Sequence, residues 1–396
     1  MNKQTFGNII QSCVLSLVIL YYLQGVIYPI GNIVAKISFA FLILISGIYV
    51  VKVLALKNKG VFVKLLITFI FIQSMYFLFY RAPDSGLIFP SCYYEQFKLI
   101  LGGLIPFFVY YYLALKGRLS ANILNWFSVF LFLALLGKYF YELRSIIDIS
   151  NDSENVVNNA AYYFVNLAPL LLLIARKKPI ISIICVVISL GLVISATKRG
   201  ALVCYVMFMC IYSYFLFKRQ RKFLDTRLKK TVASILVLTL VVTIGYFGFQ
   251  ALSANEYFLR RLSDGVSNTS GRDSIFASIF EAWMNGNVIE ILFGHGFAAS
   301  VQFAGNYAHN DWLELLAMGG LSIVMIYLLI FLSLVGLIRS KSMNKEDSIV
   351  LFSVLSMWGA QSLFSMGYCD FSWNIYALVL GVVIGGIERS KRLNYE

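Results

Sequence analysis

The sequence predicts an all-α integral membrane protein with about twelve transmembrane helices, and three observations support this. Hydrophobic residues make up 60% of the 396 residues and charged residues only 13%, about half the charged share of a soluble domain. Apolar runs recur along the chain at the ~20-residue length that crosses a bilayer. The loops between these runs alternate between strongly basic and nearly free of cations, as expected for a multi-pass protein.

The predicted spans follow the apolar runs in chain order and form a single polytopic domain over residues 1–396. The N-terminal run is longer than the apolar region of a signal peptide, so we interpret it as an uncleaved first span. The spans are predicted at residues 9–28, 31–51, 61–80, 97–115, 122–141, 158–175, 179–196, 200–217, 231–250, 319–338, 348–367 and 372–388.

Charge in the connecting loops predicts the orientation. Lys and Arg are concentrated in the loops after the second, fourth, sixth, eighth and tenth spans and in the C-terminal tail. Basic loops face the cytoplasm, so both termini are expected there. The net charge of +14 follows from this topology and does not indicate a nucleic-acid partner. The opposite side has few cations: Arg81, Arg144, Lys198, Arg199, Arg260, Arg261 and Arg272.

One external segment is much longer than the others and is expected to carry the chemistry. It covers residues 251–318, between the ninth and tenth spans, and contains both histidines. Ile275, Ile279 and Trp283 recur at helical spacing, which predicts a short amphipathic helix at the membrane surface. A second helical stretch is predicted from Asn310 to Met318, ended by two glycines.

Arginines on the external side are the first candidate site residues. Arg199 interrupts an apolar run of about forty residues, so it lies in a turn between two ~20-residue spans. A cation in a short external loop violates the orientation rule and is a functional candidate. Arg272 falls in a first helical turn, where it opposes the helix dipole unless an anion docks there. A solvated loop arginine is the alternative for Arg272. Arg260 and Arg261 lie upstream in the same segment.

The two histidines are the second set of candidates. His309 opens a helical stretch, and a histidine near pKa 6.5 at a membrane surface can accept a proton from a sugar hydroxyl. A helix-capping histidine is the alternative, and Asp311 or Glu314 would be the base if His309 only orients the acceptor. His295 stands between two glycines, which indicates a tight turn or a close backbone approach; filling that turn is the alternative to a contact with substrate.

Together these residues suit the binding of a diphosphate at the membrane surface while a hydroxyl attacks the attached carbon. The guanidinium fork donates two hydrogen bonds to phosphate and keeps its charge. Neutralising the departing diphosphate is the task that a divalent metal performs in many soluble transferases. The sequence has no Cys/His cluster with metal-ligand spacing, and we expect no metal or other cofactor.

Three motifs resemble the O-antigen polymerase/ligase superfamily. The turn from Ser195 to Ala201 (SATKRGA) resembles the family's S-x-(S/T)-R-G-A turn after a membrane helix. Ser270-Gly271-Arg272, then Trp283, then the FGHG segment at 293–296 resemble its GR…W…G-x-G pattern. Ala308-His309-Asn310, then Leu313, then the glycines at 319–320 resemble its HN-x-x-L…G pattern. The resemblance covers the second half of the chain closely, and the first half only as membrane helices.

The resemblance implies a GT-C-type membrane glycosyltransferase of the bacterial inner membrane, with its active site facing the periplasm. It implies an undecaprenyl-diphosphate-linked oligosaccharide as donor and an inverting, metal-independent transfer. By position, Arg199 and Arg272 would contact the diphosphate, and His309 would activate or orient the acceptor hydroxyl. Arg260, Arg261, His295 and Asn310 are predicted to contact the diphosphate or the glycan.

Three functions remain open on these residues. A polymerase joins two lipid-linked glycans, and we favour it; such an enzyme sometimes works with a separate chain-length regulator. A ligase moves the finished glycan to the lipid A core and breaks the same sugar–diphosphate bond. A transporter or flippase for the same lipid would place ionisable groups near the bilayer midplane, where the candidates are Lys36 and Lys138.

Overall fold

The computed structural model describes residues 3–82, 92–150, 158–223, 272–340 and 343–393, in which the regular elements are helices. The helices are α1 (Lys3–Tyr22), α2 (Ile33–Leu54), α3 (Val61–Phe79), α4 (Cys92–Leu104), α5 (Pro106–Leu115), α6 (Ala121–Ser150), α7 (Ala161–Ala175), α8 (Pro179–Ser195), α9 (Arg199–Phe223), α10 (Arg272–Met284), α11 (Val288–Phe293), α12 (Ala299–Ala304), α13 (Asp311–Ile338), α14 (Lys345–Phe364) and α15 (Trp373–Leu393).

The predicted class, an all-α membrane protein, is confirmed. Within the described ranges, 8 apolar segments are long enough to cross a membrane, with α4 and α5 forming one segment, Cys92–Leu115. The helices α7 and α8 are apolar but shorter. The predicted ninth span, at residues 231–250, lies outside the described residues, so the count of twelve stays a prediction.

Helix α1 starts and ends earlier than the predicted span at 9–28. It covers Lys3–Tyr22, and the residues after it form turns in which the Gly25 N–H donates to the Tyr28 carbonyl at 2.6 Å. Gly25 has a φ of +86° and Gly31 a φ of +73°, a conformation that other residues rarely adopt. Apolar residues continue past Tyr22, and for this reason hydropathy alone extends the span into the turn.

Helix α13 joins two elements that the sequence predicts as separate. The expected surface helix up to Met318 and the expected span at 319–338 form one element, Asp311–Ile338. Gly320 is non-helical within it, with φ 58° and ψ −156°. The predicted break is therefore present as a kink, and the first turn of a long membrane helix carries the residues that follow His309.

The backbone of His295 and Gly296 pairs with α13 at the kink. A kink interrupts the helical hydrogen bonds of the preceding turn. The His295 N–H donates to the Ala317 carbonyl at 2.9 Å, and the Gly296 N–H donates to the Met318 carbonyl at 3.0 Å. Because unpaired backbone groups cost several kcal/mol in a membrane, this pairing stabilises the kink and fixes the segment against α13.

The same segment is held on its other side by the end of α3. The Phe297 N–H donates to the Tyr80 carbonyl at 2.8 Å, and the Ala82 N–H donates to the Phe297 carbonyl at 3.1 Å. The Tyr76 hydroxyl donates to the Phe293 carbonyl at 2.6 Å. The FGHG motif therefore bridges α3 and α13.

Close helix packing in the centre depends on a Gly-x-x-x-Gly pair in α15. A Cβ on Gly381 would stand 2.9 Å from the Phe107 carbonyl oxygen, and one on Gly385 would stand 2.7 Å from the Ala114 Cβ. Small residues at this spacing let two membrane helices approach at the backbone. Helices α5 and α15 therefore form a tight pair, and the almost fully buried α7 packs against α15.

The bundle has two ends that differ in charge, and one of them is strongly basic. At the basic end Gly60 lies next to Glu388, and Arg176 pairs with Asp347 at 2.7 Å. The described cations of this end include Lys59, Arg118, Arg176, Lys177, Lys178, Arg219, Arg389, Lys391 and Arg392. The other end, called the site end below, carries Arg81, Arg144, Lys198, Arg199, Arg272 and both histidines.

We expect the Gly294→Ala variant to be destabilised. Gly294 has φ 72° and ψ −170°, a region essentially limited to glycine, and an added Cβ would also overlap the Met318 carbonyl. The backbone strain alone costs about 1–3 kcal/mol. Thermal unfolding of the detergent-purified protein measures the effect. Gly47→Ala in α2, whose Cβ would meet no atom within 4 Å, is the matched control, and equal melting temperatures for the two variants would contradict the expectation.

Candidate active site

The turn before α9 has a strained backbone held by its neighbours. Thr197 has a φ of +52°, which is a genuine outlier for a β-branched residue. The Asn158 N–H donates to the Ala196 carbonyl at 3.3 Å. The Tyr139 and Ser195 hydroxyls lie 2.7 Å apart, within hydrogen-bond distance. These contacts fix the direction in which Lys198 and Arg199 enter the helix.

Gly200 brings the start of α9 against two other elements. A Cβ there would overlap the Tyr162 hydroxyl at the start of α7 and would stand 3.1 Å from the Phe364 Cβ at the end of α14. The absence of a side chain at Gly200 thus permits this approach. The predicted turn around Arg199 therefore lies directly beside the ends of α7 and α14.

Arg272 reaches the same place from helix α10. It lies in the first described turn of that helix, and its Nη1 donates to the Phe364 carbonyl at 3.0 Å. It also acts electrostatically on Tyr162. Phe364 thus contacts Gly200 on one side and Arg272 on the other, so the two predicted arginine positions converge on one helix end.

His309 completes the cluster from the turn before α13. Its φ is +50°, a second strained position. Burial lowers the pKa of His309 below its usual value, and the nearby charges of Arg272 and Lys198 lower the pKa further. Each of these effects disfavours the imidazolium form. The imidazole is therefore neutral at physiological pH and able to accept a proton.

Asn310 fixes the position of His309 at the helix start. Its side-chain oxygen accepts hydrogen bonds from the N–H groups of Trp312 at 2.9 Å and Leu313 at 3.1 Å, which makes it the N-cap of α13. Its amide nitrogen donates to the Leu363 carbonyl at 3.3 Å. The contact of Asn310 with a glycan stays a prediction, and the structure gives this side chain a positioning role.

Glu314 is buried beneath the His309 turn. Its carboxylate accepts hydrogen bonds from Gln96 Nε2 at 3.1 Å, Ser300 Oγ at 2.7 Å and the Ala308 N–H at 3.0 Å. The side chain is 0% exposed. It therefore joins α4, α12 and the residue preceding His309, and it is not accessible from outside the protein.

Asp311 braces the other side of the same turn. It is also fully buried and accepts hydrogen bonds from the Tyr327 hydroxyl at 2.5 Å and the Gly367 N–H at 2.7 Å. Both carboxylates considered as alternative bases are thus occupied by internal donors. The exposed part of the site offers the imidazole of His309 as the candidate base.

His295 lies apart from this cluster. Its backbone N–H is bonded to Ala317 at the kink, roughly 9 Å along the helix axis from Asp311. Its ring packs edge-on against Phe303 with centroids 4.9 Å apart, and Nδ1 is 4.0 Å from a Glu290 carboxylate oxygen. The glycines beside it serve the close backbone approach that the sequence indicates, and its contact with substrate stays a prediction.

Two of the predicted site residues, Arg260 and Arg261, lie outside the described residues, as do residues 251–271 of the predicted catalytic segment. Within the described ranges, no group of three or more His, Cys, Asp or Glu side chains is placed to hold a metal ion. The sequence analysis assigned no role to Lys198, which adjoins Arg199. The positive φ of Thr197, which directs Lys198 toward the site, cannot be recognised from the sequence.

No family model matches this chain, and no curated protein is significantly similar to it.

We expect the titration midpoint of His309 to lie below that of an ordinary histidine and to rise in Arg272→Gln or Lys198→Gln. Removing either cation removes a charge that opposes protonation. NMR of labelled histidine in a His295→Gln background follows His309 alone, because the chain has two histidines. Arg144→Gln is the control, since its side chain is 86% exposed and pairs with Asp148. A midpoint unchanged by both Arg272→Gln and Lys198→Gln would refute the arrangement.

Proposed function

We propose that this protein is a membrane-embedded glycosyltransferase that extends a surface polysaccharide from undecaprenyl-diphosphate-linked glycans. The observation that carries the proposal is the convergence of a neutral imidazole with cationic side chains at one helix end. His309, Arg272 and Lys198 interact electrostatically, and the Arg199 turn packs against the same residue, Phe364, that accepts the Arg272 hydrogen bond.

The arginines would bind the diphosphate of the donor. A guanidinium keeps its charge and donates in a planar fork that matches phosphate oxygens. Arg199 begins a helix, where backbone N–H groups without helical partners also favour an anion. The Arg272 hydrogen bond to a neutral carbonyl is one that a phosphate oxygen would replace favourably.

The transfer step follows from these roles. The acceptor hydroxyl gives its proton to the neutral imidazole of His309, and its oxygen forms a bond to the anomeric carbon of the donor sugar. The bond between that carbon and the diphosphate oxygen breaks on the opposite face, so the configuration inverts. The leaving diphosphate keeps the electron pair, stabilised by Arg199 and Arg272, and His309 later releases its proton to water.

The two ends of the bundle support the proposed orientation. The basic end would face the cytoplasm with both termini, and the site end would face the periplasm of a bacterial inner membrane. Orientation matters for the chemistry because lipid-linked glycans that are polymerised outside the cytoplasm must be reached at the outer leaflet. A chain-length regulator would approach the protein from the same side.

The acceptor separates the proposed polymerase from a ligase. We propose that the acceptor is a second lipid-linked glycan, so that the product stays on a diphosphate carrier. Purified protein incubated with lipid-linked repeat units should give a ladder of longer glycans. Products formed only when the lipid A core is supplied would identify a ligase, and movement across vesicles without a new bond would identify a transporter.

Arg199→Ala, Arg272→Ala and His309→Ala should each abolish the ladder while membrane insertion and melting temperature are retained. Loss of one preorganised donor to a developing charge typically lowers the rate by a factor of ~10²–10³. At that rate the longer glycans of the ladder would fall below detection. Arg144→Ala, an exposed cation of the site end, is the control and should keep wild-type product lengths. Wild-type ladders from all three site variants would exclude the assignment.

Arg199→Lys is expected to remain strongly impaired. An ammonium is a point charge and does not reproduce the two parallel hydrogen bonds of the guanidinium. Product length and initial rate at saturating donor, compared with those of Arg199→Ala, measure the difference. Full activity of the lysine variant would show that Arg199 supplies charge alone.

A further inference from the structure

A cavity of about 600 Å³ lies at the basic end of the bundle, far from the candidate active site. Its walls come from the residues before and at the start of α3 and from the last turns of α13 and α15. The volume falls within the range of about 300–1,000 Å³ that is typical of ligand sites.

Three cations line this cavity: Lys59, Lys391 and Arg392. Lys59 Nζ donates to the Leu54 and Leu56 carbonyls at 2.8 Å and 2.6 Å, and Arg392 Nη2 donates to the Asn58 carbonyl at 2.7 Å. These acceptors are neutral, so they hold the side chains in place without cancelling the positive charges.

Glu388 is the acidic residue in the cavity lining, and its carboxylate is already engaged. One oxygen accepts the Gly60 N–H at 3.1 Å, and the other accepts the Tyr111 hydroxyl. The lining thus contains three cations and one carboxylate that has hydrogen bonds of its own. This balance favours an anionic ligand.

Part of the cavity wall is apolar and includes Val61, Leu337 and Ile384. Gly336 lies in the same wall, and a Cβ added there would meet no atom within 4 Å. This wall, called the apolar slot below, runs along the last turns of α13, in a cavity whose lining also carries the three cations.

We propose that this cavity binds an anionic glycerophospholipid, with its phosphate at the three cations and part of an acyl chain along α13. Free phosphate would leave the apolar slot filled with water, and a zwitterionic lipid would compensate the cations less well. The positive-inside rule assigns this end to the cytoplasmic leaflet, whose anionic lipids bind basic pockets between membrane helices. The inference is independent of the proposed glycosyl transfer.

Lipid retention by the full-length protein tests this inference. Protein reconstituted with equal amounts of phosphatidylglycerol and phosphatidylcholine is released into detergent, and the bound lipid is counted by native mass spectrometry. Phosphatidylglycerol should be retained preferentially. Lys59→Gln/Lys391→Gln should weaken its retention roughly 25-fold, about fivefold for each cation. Lys177→Gln/Lys178→Gln removes two exposed cations at the same end and should change nothing.

A second pair of variants fills space without removing charge. Gly336→Leu should displace the lipid, because its side chain enters the slot. Gly386→Leu is the matched control, since its Cβ would also meet no atom within 4 Å and it is not part of the cavity lining. Equal retention of the two lipids, or equal effects of the two leucines, would overturn the proposal. Thermal stabilisation by inorganic phosphate equal to that by phosphatidylglycerol would do so as well, by identifying a free-anion site.

Discussion

The buried carboxylate of Glu314 is the interaction on which the geometry of the site depends. It gathers donors from Gln96 on α4, Ser300 on α12 and Ala308 immediately before His309. These segments are far apart in the chain, and the carboxylate makes them a single support. A buried carboxylate is costly unless its oxygens are hydrogen-bonded, so the three donors must stay in place. The His309 turn is thereby held by the same bonds that stabilise the carboxylate.

Two of the three described non-glycine residues with positive φ lie at the same site, and the third is Ala298. Thr197 precedes the cations of α9, and His309 precedes the N-cap of α13, and both have positive φ angles. Such conformations cost about 1–3 kcal/mol each and persist only where the surroundings determine them. Here the surroundings are hydrogen-bonded carbonyls, hydroxyls and carboxylates. Strain at two neighbouring turns is consistent with selection for the placement of side chains rather than for stability.

Hydropathy and charge predicted much of the architecture. The all-α membrane class is confirmed, and the starts of α3 and α8 fall where the apolar runs begin. Helix α1 was misplaced because apolar residues continue into a turn that Gly25 and Gly31 impose. The sequence does not predict that two elements join in α13, because a pair of glycines can either end a helix or bend it.

The site was predictable in its residue types and only partly in its roles. His309 was expected at a helix start and lies there, directly before the N-cap of α13. The functions of Glu314 and Asp311 as buried braces depend on partners distant in sequence, and no local pattern reveals them. His295 was expected to contact substrate. In the structure its backbone N–H pairs with the Ala317 carbonyl at the kink of α13. Periodicity and composition describe faces and ends of helices, whereas hydrogen-bond partners across the fold become visible only in three dimensions.

The bridge between α3 and α13 fixes one border of the site end through backbone hydrogen bonds. Segment 293–297 is bonded on both sides by backbone groups that would be costly to expose beside lipid. Helices α11 and α12 therefore move with α13 as one block. If the proposed glycosyl transfer holds, room for the donor lipid would come from the opposite border, where the Arg272 guanidinium would leave the Phe364 carbonyl and turn toward the donor headgroup. Admission and capture would then be a single motion of one side chain.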